Sequence, residues 1–463
     1  KVKMRKENKM RTAAFHTLGC KVNAYETEAM EQALLQAGYE LRSFEETADV
    51  YIINTCSVTN IADRKSRQML HRAKSLNPGA VVVAAGCYAQ AAAESLKEDG
   101  SVDLVLGNQE KKDLVRILDA YFAEELETPF AVGDMRAATQ YEDLAANRSE
   151  GHTRAFLKVQ DGCNQYCSYC IIPFLRGNIR SRRPGDVRRE AERLAASGVR
   201  ELVLTGIHLS SYGRDFKNVA EREDFGDGAA NLLELLTLLD GVEGIERLRI
   251  GSLEPKIATP AFASGLASLR HFCPHFHLSL QSGSNATLCR MGRRYTAEEF
   301  RAGVRALRAA FPDAAMTTDV IVGFPGESEE EFSESFSFIE EIRFYETHIF
   351  PYSKREGTKA AAMPEQVPGA VKKRRAALLQ ELNLERQREF RISRLGTEQE
   401  MLSEETVTID GQAYLVGNSR EYVKLAVPLA ALGGDCAVNC LYRGTAENFL
   451  NSEILLLTNV SKT

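Results

Sequence analysis

The run Asp161-Gly-Cys-Asn-Gln-Tyr-Cys-Ser-Tyr-Cys170 places Cys163, Cys167 and Cys170 in C-x3-C-x2-C spacing. Three thiolates this close, flanked by Gly162 and small or polar residues, can all turn inward on one metal centre. That commits the local chain to a compact loop. The fourth ligand is missing, and its absence is informative. Structural zinc closes its shell with four protein ligands, whereas three leave one position open for a small molecule. Iron–sulfur clusters are held by Cys thiolates in short-spaced runs of this kind. The competing reading is a zinc knuckle that draws a distant fourth ligand.

Ten cysteines in 463 residues are too few for a disulfide scaffold, and they cluster rather than pair evenly. In a reducing compartment such clusters more often bind metal than form bridges. The length suggests about three domains. With 44% hydrophobic and 26% charged residues the chain reads as globular, with a real core. No stretch approaches the ~20 apolar residues of a membrane span, and no apolar run follows the basic start at Lys1 to Arg11. A cytoplasmic enzyme without a membrane partner is expected. The net charge of −6 gives no overall attraction for nucleic acid. Locally, Arg176, Arg180, Arg182, Arg183, Arg188 and Arg189 crowd the segment after the triplet, and such patches can contact phosphates. A second run, Lys372 to Arg375 and on to Arg394, reads as a solvated helix face.

From Thr12 to about Ala137, apolar strand-like runs alternate with amphipathic stretches, the pattern of βαβ units in a doubly wound parallel sheet. Cys20, Cys56 and Cys87 each fall just past one of the first three strand-like runs. In open α/β sheets ligands bind at the carboxyl ends of strands. These three cysteines are therefore expected to meet at one edge as a second three-thiol site, against the alternative of buried core cysteines. Tyr141 to His152 reads as a polar linker. Between Thr153 and Leu384 six strands, one of them Arg247 to Gly251, with crossover helices suggest a (β/α)6 partial barrel, with its site at the C-terminal strand ends where the triplet lies. From Gly396 to Thr463 short β-prone segments separated by turns, at Glu398 to Ser403, Thr406 to Ile409, Ala413 to Gly417, Tyr422 to Ala426 and Ser452 to Thr458, suggest a small antiparallel, OB-like β-barrel. A capping or dimerisation module is the alternative. Cys273, Cys289, Cys436 and Cys440 lack a ligand pattern, and Phe324-Pro-Gly326 is not followed by the Lys-Ser/Thr of a phosphate loop.

The chain resembles the methylthiotransferase family of radical S-adenosylmethionine (SAM) enzymes. Thr17-Leu-Gly-Cys-Lys-Val-Asn23, Asn54-Thr-Cys-Ser-Val58 and Gly86-Cys-Tyr-Ala-Gln90 are similar to the family's N-terminal cluster motifs. Asp161 to Gly177, Leu278-Ser-Leu-Gln-Ser-Gly283 and Asp319-Val-Ile-Val-Gly-Phe-Pro-Gly-Glu327 are similar to its barrel. The tail resembles TRAM, the family's RNA-binding β-barrel. Lys21-Val22 looks closest to the branch acting on N6-threonylcarbamoyladenosine at position 37 of tRNA. The isopentenyladenosine branch usually has Gln-Met there, and the ribosomal-protein aspartate branch has Pro-Lys. Leu204-Thr-Gly-Ile207 stands where many radical enzymes carry Gly-Gly-Glu.

This resemblance implies three parts: a methylthiotransferase domain over 12–137, a radical SAM domain over 153–384 and a TRAM domain over 396–463. It implies a 4Fe-4S cluster on Cys163, Cys167 and Cys170 that binds and cleaves SAM, and the resulting 5′-deoxyadenosyl radical takes hydrogen from C2 of the adenine. A second 4Fe-4S cluster on Cys20, Cys56 and Cys87 supplies sulfur. The cofactors carry the hard chemistry while the protein positions them and excludes water. Tyr169, Thr205, Gly206, Ser252, Glu254, Gln281, Arg294 and Asp319 are the candidate SAM-binding residues. The implied partners are a tRNA anticodon stem-loop and an electron donor such as flavodoxin or ferredoxin. Structural zinc in an RNA-binding protein and modification of a protein side chain are the rival functions.

Overall fold

The computed structural model describes residues 10–126, 128–144, 153–216, 231–433 and 437–463. The first body follows the expected alternation: β1 (Thr12–Thr17), α1 (Lys21–Gln36), β2 (Glu40–Arg42), β3 (Val50–Thr55), α2 (Asn60–Leu76), β4 (Val81–Gly86), α3 (Cys87–Ala91), α4 (Ala93–Lys97), β5 (Leu104–Leu106), α5 (Leu114–Phe122) and β6 (Phe130–Ala131). These strands form one parallel sheet in the order β2-β1-β3-β4-β5-β6. Every residue of β3 and β4 is buried, as strands covered on both faces require.

The barrel segment begins with β7 (Arg154–Asp161), α6 (Ile172–Arg176), β8 (Arg180–Ser181), α7 (Pro184–Ala196) and β9 (Glu201–Gly206). It continues with α8 (Leu232–Asp240), β10 (Arg247–Ile250), β11 (Ser252–Leu253), α9 (Pro260–Ala267), β12 (His275–Leu278) and α10 (Asn285–Arg290). Then come α11 (Ala297–Ala310), β13 (Ala315–Val322), α12 (Glu329–Ile342), β14 (Glu346–Pro351) and α13 (Gly369–Ile392). Helices α11 and α12 open on capping boxes, Thr296 with Glu299 and Ser328 with Glu331. The strand expected over Arg247 to Gly251 is interrupted, so the wall is two sheets, β10-β9-β7-β8 and β11-β12-β13-β14. Gly251 lies at the break because the chains close in there: a Cβ would stand 3.1 Å from the Leu204 carbonyl oxygen.

Residues 398–462 form a closed barrel of β15 (Glu398–Ile409), β16 (Gln412–Asn418), β17 (Lys424–Pro428), β18 (Leu441–Phe449) and β19 (Ile454–Lys462) in the order β15-β16-β17-β19-β18. The two segments expected at Glu398 to Ser403 and Thr406 to Ile409 are one strand with a register shift at Ser403/Glu405, and β18 escaped the sequence analysis. The β17–β19 pair that closes the barrel is parallel, the others antiparallel.

Buried charge joins these bodies. Glu26 of α1 accepts from Lys158 of β7 at 2.7 Å, from both terminal nitrogens of Arg176 at 2.7 and 3.0 Å, and pairs with Lys111. Asp161 also faces Lys158 and Arg176, at 2.7 and 3.0 Å. Despite complete burial, this cationic shell holds the Glu26 and Asp161 carboxyls well below the usual range. On the opposite side Arg355, just past β14, donates to Asn60 and Ser57 at 2.9 and 2.8 Å and pairs with Asp63. The first body thus grips both the first and the last barrel strand and closes the gap between them. At the other end Arg247 donates to the carbonyls of Asn418 and Glu400, both at 2.8 Å, and Arg154 donates to the Tyr422 hydroxyl at 2.6 Å. The tail therefore caps the N-terminal ends of the barrel strands.

These contacts correct two expectations. Arg176, Arg180 and Arg182 are buried in ion pairs, so they cannot form a phosphate-binding patch. Arg375, placed on a solvated helix face, is also buried, donating to Glu327 at 2.5 Å. Of the expected linker, Leu144 is buried, Asp143 is exposed and the Tyr141 hydroxyl donates to the Lys158 carbonyl at 2.9 Å; positions 145–152 lie outside the described residues.

Replacing Glu26 by Ala should destabilise the protein by about 3–5 kcal/mol, since it removes the carboxylate that three buried cations share and leaves Asp161 alone to face Lys158 and Arg176. The Glu26 contribution is present above the unfolded carboxyl pKa and lost as pH falls through the depressed folded value. Urea midpoints of the two proteins should therefore converge on acidification. Equal midpoints at pH 7 would remove the network from the stability account.

Candidate active site

Each N-terminal cysteine sits where a strand hands over to a helix. Cys20 is the residue before α1, Cys56 follows β3 directly, and Cys87 opens α3. Because β1, β3 and β4 are adjacent and parallel, the three thiols gather at one sheet edge. The backbone is shaped to allow this. Gly19 has φ +101°, and a Cβ there would lie 2.9 Å from the Cys56 sulfur. Gly86 has φ +92°, and a Cβ would press to 2.5 Å from the Asn54 side-chain oxygen. Ser66 accepts from the Cys56 N–H at 3.3 Å and returns a hydrogen bond to its carbonyl at 3.1 Å.

Cys20 stands in a crowded recess that solvent reaches, while Cys56 and Cys87 are buried. Burial pushes the Cys56 thiol up to about 11, and the neighbouring Cys87 and Cys20 push the same way. Burial likewise raises Cys20, opposed by the positive charge of Arg176. Three free thiols gathered beside a surplus of buried cations form a donor set for the cationic core of a metal cluster. A cluster held by three thiolates is net anionic, and Arg176, Lys158 and Lys111 outnumber Glu26 and Asp161. The residues fit the group.

The triplet leaves β7 through a bulge: Lys158 pairs with Thr205 and Gln160 with Gly206, so two residues oppose one. Bulges of this kind re-aim a chain beside a site. Gly162 follows with φ +73°, where a Cβ would fall 1.8 Å from the Asn178 carbonyl oxygen. The loop is then pinned by Cys163 N–H to Gly177 O at 3.0 Å, Ser168 N–H to Met291 O at 2.9 Å and Ala360 N–H to Ser168 O at 2.8 Å. Burial raises Cys163 to about 11 and Cys170 to about 12, and in each the charge of Cys167 adds to the shift. Loading metal onto such thiols must release their protons. The donor set fits a second three-thiolate cluster.

Of the candidate SAM-binding residues, Glu254 is the one the structure ties to this loop. It accepts from Gln165 Nε2 at 2.8 Å and lies 3.1 Å from His208 Nε2. Burial opposes its ionisation, but the His208 hydrogen bond and charge hold its pKa below the usual value. Thr205 is buried at the end of β9, and Gly206 is packed 3.0 Å from the Gln160 side chain as judged by the position of a Cβ. Tyr169 lies edge-on to Phe324, ring centroids 6.3 Å apart. Ser252 is exposed and shares a 2.7 Å hydrogen bond with Ser279. Gln281, at φ +69°, exchanges backbone hydrogen bonds with Asp319 and Ile321. Asp319 pairs with His277 at 3.2 Å. Arg294 is exposed, and among the described residues no hydrogen bond or ion pair ties it to the site. Its neighbour Arg293 is the arginine at the cysteines, donating to the Cys167 sulfur at 3.3 Å and to the Ser279 carbonyl at 3.3 Å, with its guanidinium over the Tyr295 ring.

Sequence reasoning missed Arg293, His208 and Gln165. An Arg-Arg pair carries no sign of which member turns inward, whereas Gln165 inside the triplet could have been named. At the mouth, Tyr166 and Phe174 are 47% and 50% exposed with ring centroids 5.9 Å apart, an apolar platform at the triplet's edge.

Known proteins share these features. The description "Uncharacterized protein family UPF0004" matches residues 12–107, and "Radical SAM superfamily" matches residues 157–339. The chain is 44% identical to threonylcarbamoyladenosine tRNA methylthiotransferase MtaB of Bacillus subtilis, covering 90% of each. It is 42% identical to the same-named protein of Aquifex aeolicus over 83% of this chain and 91% of that one. To tRNA-2-methylthio-N(6)-dimethylallyladenosine synthase of Moorella thermoacetica it is 37% identical, over 79% and 81%. In structure it is similar to the radical S-adenosylmethionine methyltransferase TsrM of Kitasatospora setae, with a TM-score of 0.57 at 16% identity over 76% and 77%, which shows the fold alone.

Changing Cys20, Cys56 and Cys87 together to Ala should remove about half of the iron and sulfide from the reconstituted protein while the circular dichroism stays unchanged. Iron at the full wild-type level would mean that these thiols only pack.

Proposed function

Since the chain belongs to the radical SAM methylthiotransferase family, we propose that it places a methylthio group on C2 of N6-threonylcarbamoyladenosine at position 37 of tRNA, using both three-cysteine sites. One observation carries this reading. Arg176, six residues past Cys170, reaches across the body interface to donate to the Asn23 side chain at 2.8 Å, three residues past Cys20, while Asn108, 3.9 Å from the Cys87 sulfur, donates to the Leu175 carbonyl at 2.8 Å. A reaction that joins a radical centre to a sulfur source needs the two sites to lie close together, and these contacts tie the segment that follows the triplet to the N-terminal cysteines. The same family carries two 4Fe-4S clusters and SAM, and the site geometry supports Cys163, Cys167 and Cys170 as one ligand set with Cys20, Cys56 and Cys87 as the other. When bound, the first cluster supplies the electron that cleaves SAM and the second supplies sulfur.

The chain's own residues do the positioning. Glu254, kept ionised by His208, can accept hydrogen bonds from the SAM ammonium or from ribose hydroxyls. Arg293 neutralises charge building on the Cys167 sulfur and orients that side of the loop through Tyr295. Thr205, Gly206, Ser252 and Gln281 stand on or just past barrel strands and Tyr169 stands in the triplet loop, as SAM-binding candidates. Holding reactants in place while excluding water is the protein's share of such chemistry. The target base must leave its stack to reach the cavity, and the exposed Tyr166 and Phe174 rings give an unstacked base a partner. The tail supplies phosphate contacts through exposed residues such as Lys424. Arg443, by contrast, is paired with Glu400 at 3.2 Å. A flavodoxin- or ferredoxin-type donor delivers the electron, in the cytoplasm. Among the described residues no helix is long and apolar enough to cross a membrane.

Substituting Ala for Cys163, Cys167 or Cys170 should abolish 5′-deoxyadenosine release from SAM. The Cys20/Cys56/Cys87 triple variant should keep that release yet form no methylthiolated nucleoside, as read by mass spectrometry of digested tRNA. Product at the wild-type rate from either set would defeat the two-site reading. The Lys424→Glu variant should weaken tRNA binding across all tRNAs and lower the log–log salt slope by about one. An unchanged slope would leave the tail as a cap only.

A further inference from the structure

Three inward-facing side chains of the barrel are not used in that account, one of them, Asp319, counted on sequence among the SAM-binding candidates. His277 of β12, Asp319 of β13 and His348 of β14 offer ligand atoms that all lie within 4.8 Å of one another. The strand register explains how they meet. Asp319 is paired directly with His348 across β13–β14, and His277 with Thr317 across β12–β13. β12 and β14 are not neighbours, because β13 runs between them. With strands ~4.8 Å apart, their backbones are separated by roughly 9–10 Å. The two imidazole centroids nevertheless come to 5.7 Å, with the rings stacked at 28°, so both lean in over Asp319.

The details suit a ligand set. His277 Nε2 is 3.2 Å from Asp319 Oδ2, while its Nδ1 is 2.9 Å from the Thr317 hydroxyl. A hydroxyl that accepts from Nδ1–H fixes the ring and leaves the Nε2 lone pair free, the arrangement of metal-bound histidines. His348 is exposed and the other two are half-buried, although all three project from strands of the barrel wall. They therefore look into open space inside the barrel. Two residues earlier on the same face of β12, His275 keeps a buried Nδ1 with no hydrogen-bond partner among the described residues.

Two imidazoles and one carboxylate on one face form a donor set that takes divalent first-row transition ions and leaves positions open. We propose that His277, Asp319 and His348 bind one divalent transition-metal ion, distinct from both cysteine sites, with its open positions facing the barrel cavity. In a further step that rests on the function proposed above, oxygen donors of the substrate fill those positions. The threonylcarbamoyl group carries a carboxylate and a hydroxyl that can chelate an ion, whereas an isopentenyl group carries no donor atom. The ion then helps select the modified adenosine.

The test uses the full chain with both clusters reconstituted and oxidised, titrated anaerobically with Mn2+, the free ion being counted by its EPR signal. We expect one Mn2+ per chain, bound at least about tenfold more weakly by His348→Ala and His277→Gln at unchanged iron content. Thr317→Val keeps all three ligands and should also weaken binding about tenfold, which decides the matter if a histidine variant loses its clusters. Failure of the wild type to bind Mn2+, or equal binding by wild type and variants, overturns the site. Threonylcarbamoyladenosine should tighten Mn2+ binding and isopentenyladenosine should not. Tightening by neither overturns the selection step. Both measurements are independent of methylthio transfer, so their failure is distinguishable from failure of the enzymatic reading.

Discussion

The carboxylate of Glu26, buried among Lys111, Lys158 and Arg176, is the interaction on which the rest of the structure depends. An ionised carboxylate in the interior is costly unless paired and hydrogen-bonded, and removing one partner is costlier than the pair is stabilising. The four side chains come from two bodies: Glu26 and Lys111 from the N-terminal sheet, Lys158 and Arg176 from the barrel. Neither body can part from the other without exposing or orphaning charge. The two sets of cysteines lie in the two bodies that this network joins, so the pairing that fixes the interface also fixes how the sets sit relative to one another. The positive charge of Arg176 also favours the thiolate forms of Cys20 and Cys56.

The barrel is polar inside and apolar outside, the reverse of a simple core. Its strands bury Leu157, Leu202, Leu204, Leu248, Phe276, Leu278 and Val320 against the surrounding helices. The alternate positions carry Arg154, Glu201, Arg249, His277, Asp319 and His348. Strand periodicity makes this division possible, since one residue in two must face inward. Charge at the N-terminal ends is matched by the tail: Arg249 pairs with Glu201 at 3.0 Å and donates to the Arg420 carbonyl at 3.0 Å. The tail therefore stabilises the barrel as well as offering a surface for phosphates, and removing it would leave Arg247 and Arg249 without these acceptors. At the C-terminal ends the polar residues meet the cysteine loops, where chemistry needs them.

Much of this was legible in the chain. The βα alternation, the hand-over of three strands to cysteines and the triplet past the first barrel strand are all local patterns, and the structure reproduces the order of elements, with helix starts displaced by up to five residues: α1 opens at Lys21 where the apolar pattern begins at Glu26. What failed to show did so for physical reasons. Arg176, Arg180 and Arg182 read as a basic surface because sequence shows charge without its partners, and those partners, Glu26, Asp161 and Glu190, lie 150, 19 and 8 positions away. Arg293 and Arg294 are chemically identical, and only the turn after α10 decides which one reaches Cys167. β18 was missed because its residues mix charge, glycine and aromatics, and it is stabilised by pairing with β15 and β19 rather than by its own pattern.

The sequence by itself determined the class of chemistry. Cysteine spacing and strand-end position are covalent and short-range facts, and they specify two open-shelled thiolate sites, a parallel α/β architecture and a β-rich tail. Tertiary structure alone decided how those parts face one another. Arg176 and Glu26 became a bridge instead of surface charge, Glu254 came to His208 and Gln165, and His277, Asp319 and His348 converged across three strands. Each of these contacts joins residues that are near in space and remote in the chain. Their energies depend on burial and on partners, and neither quantity exists until the chain has folded.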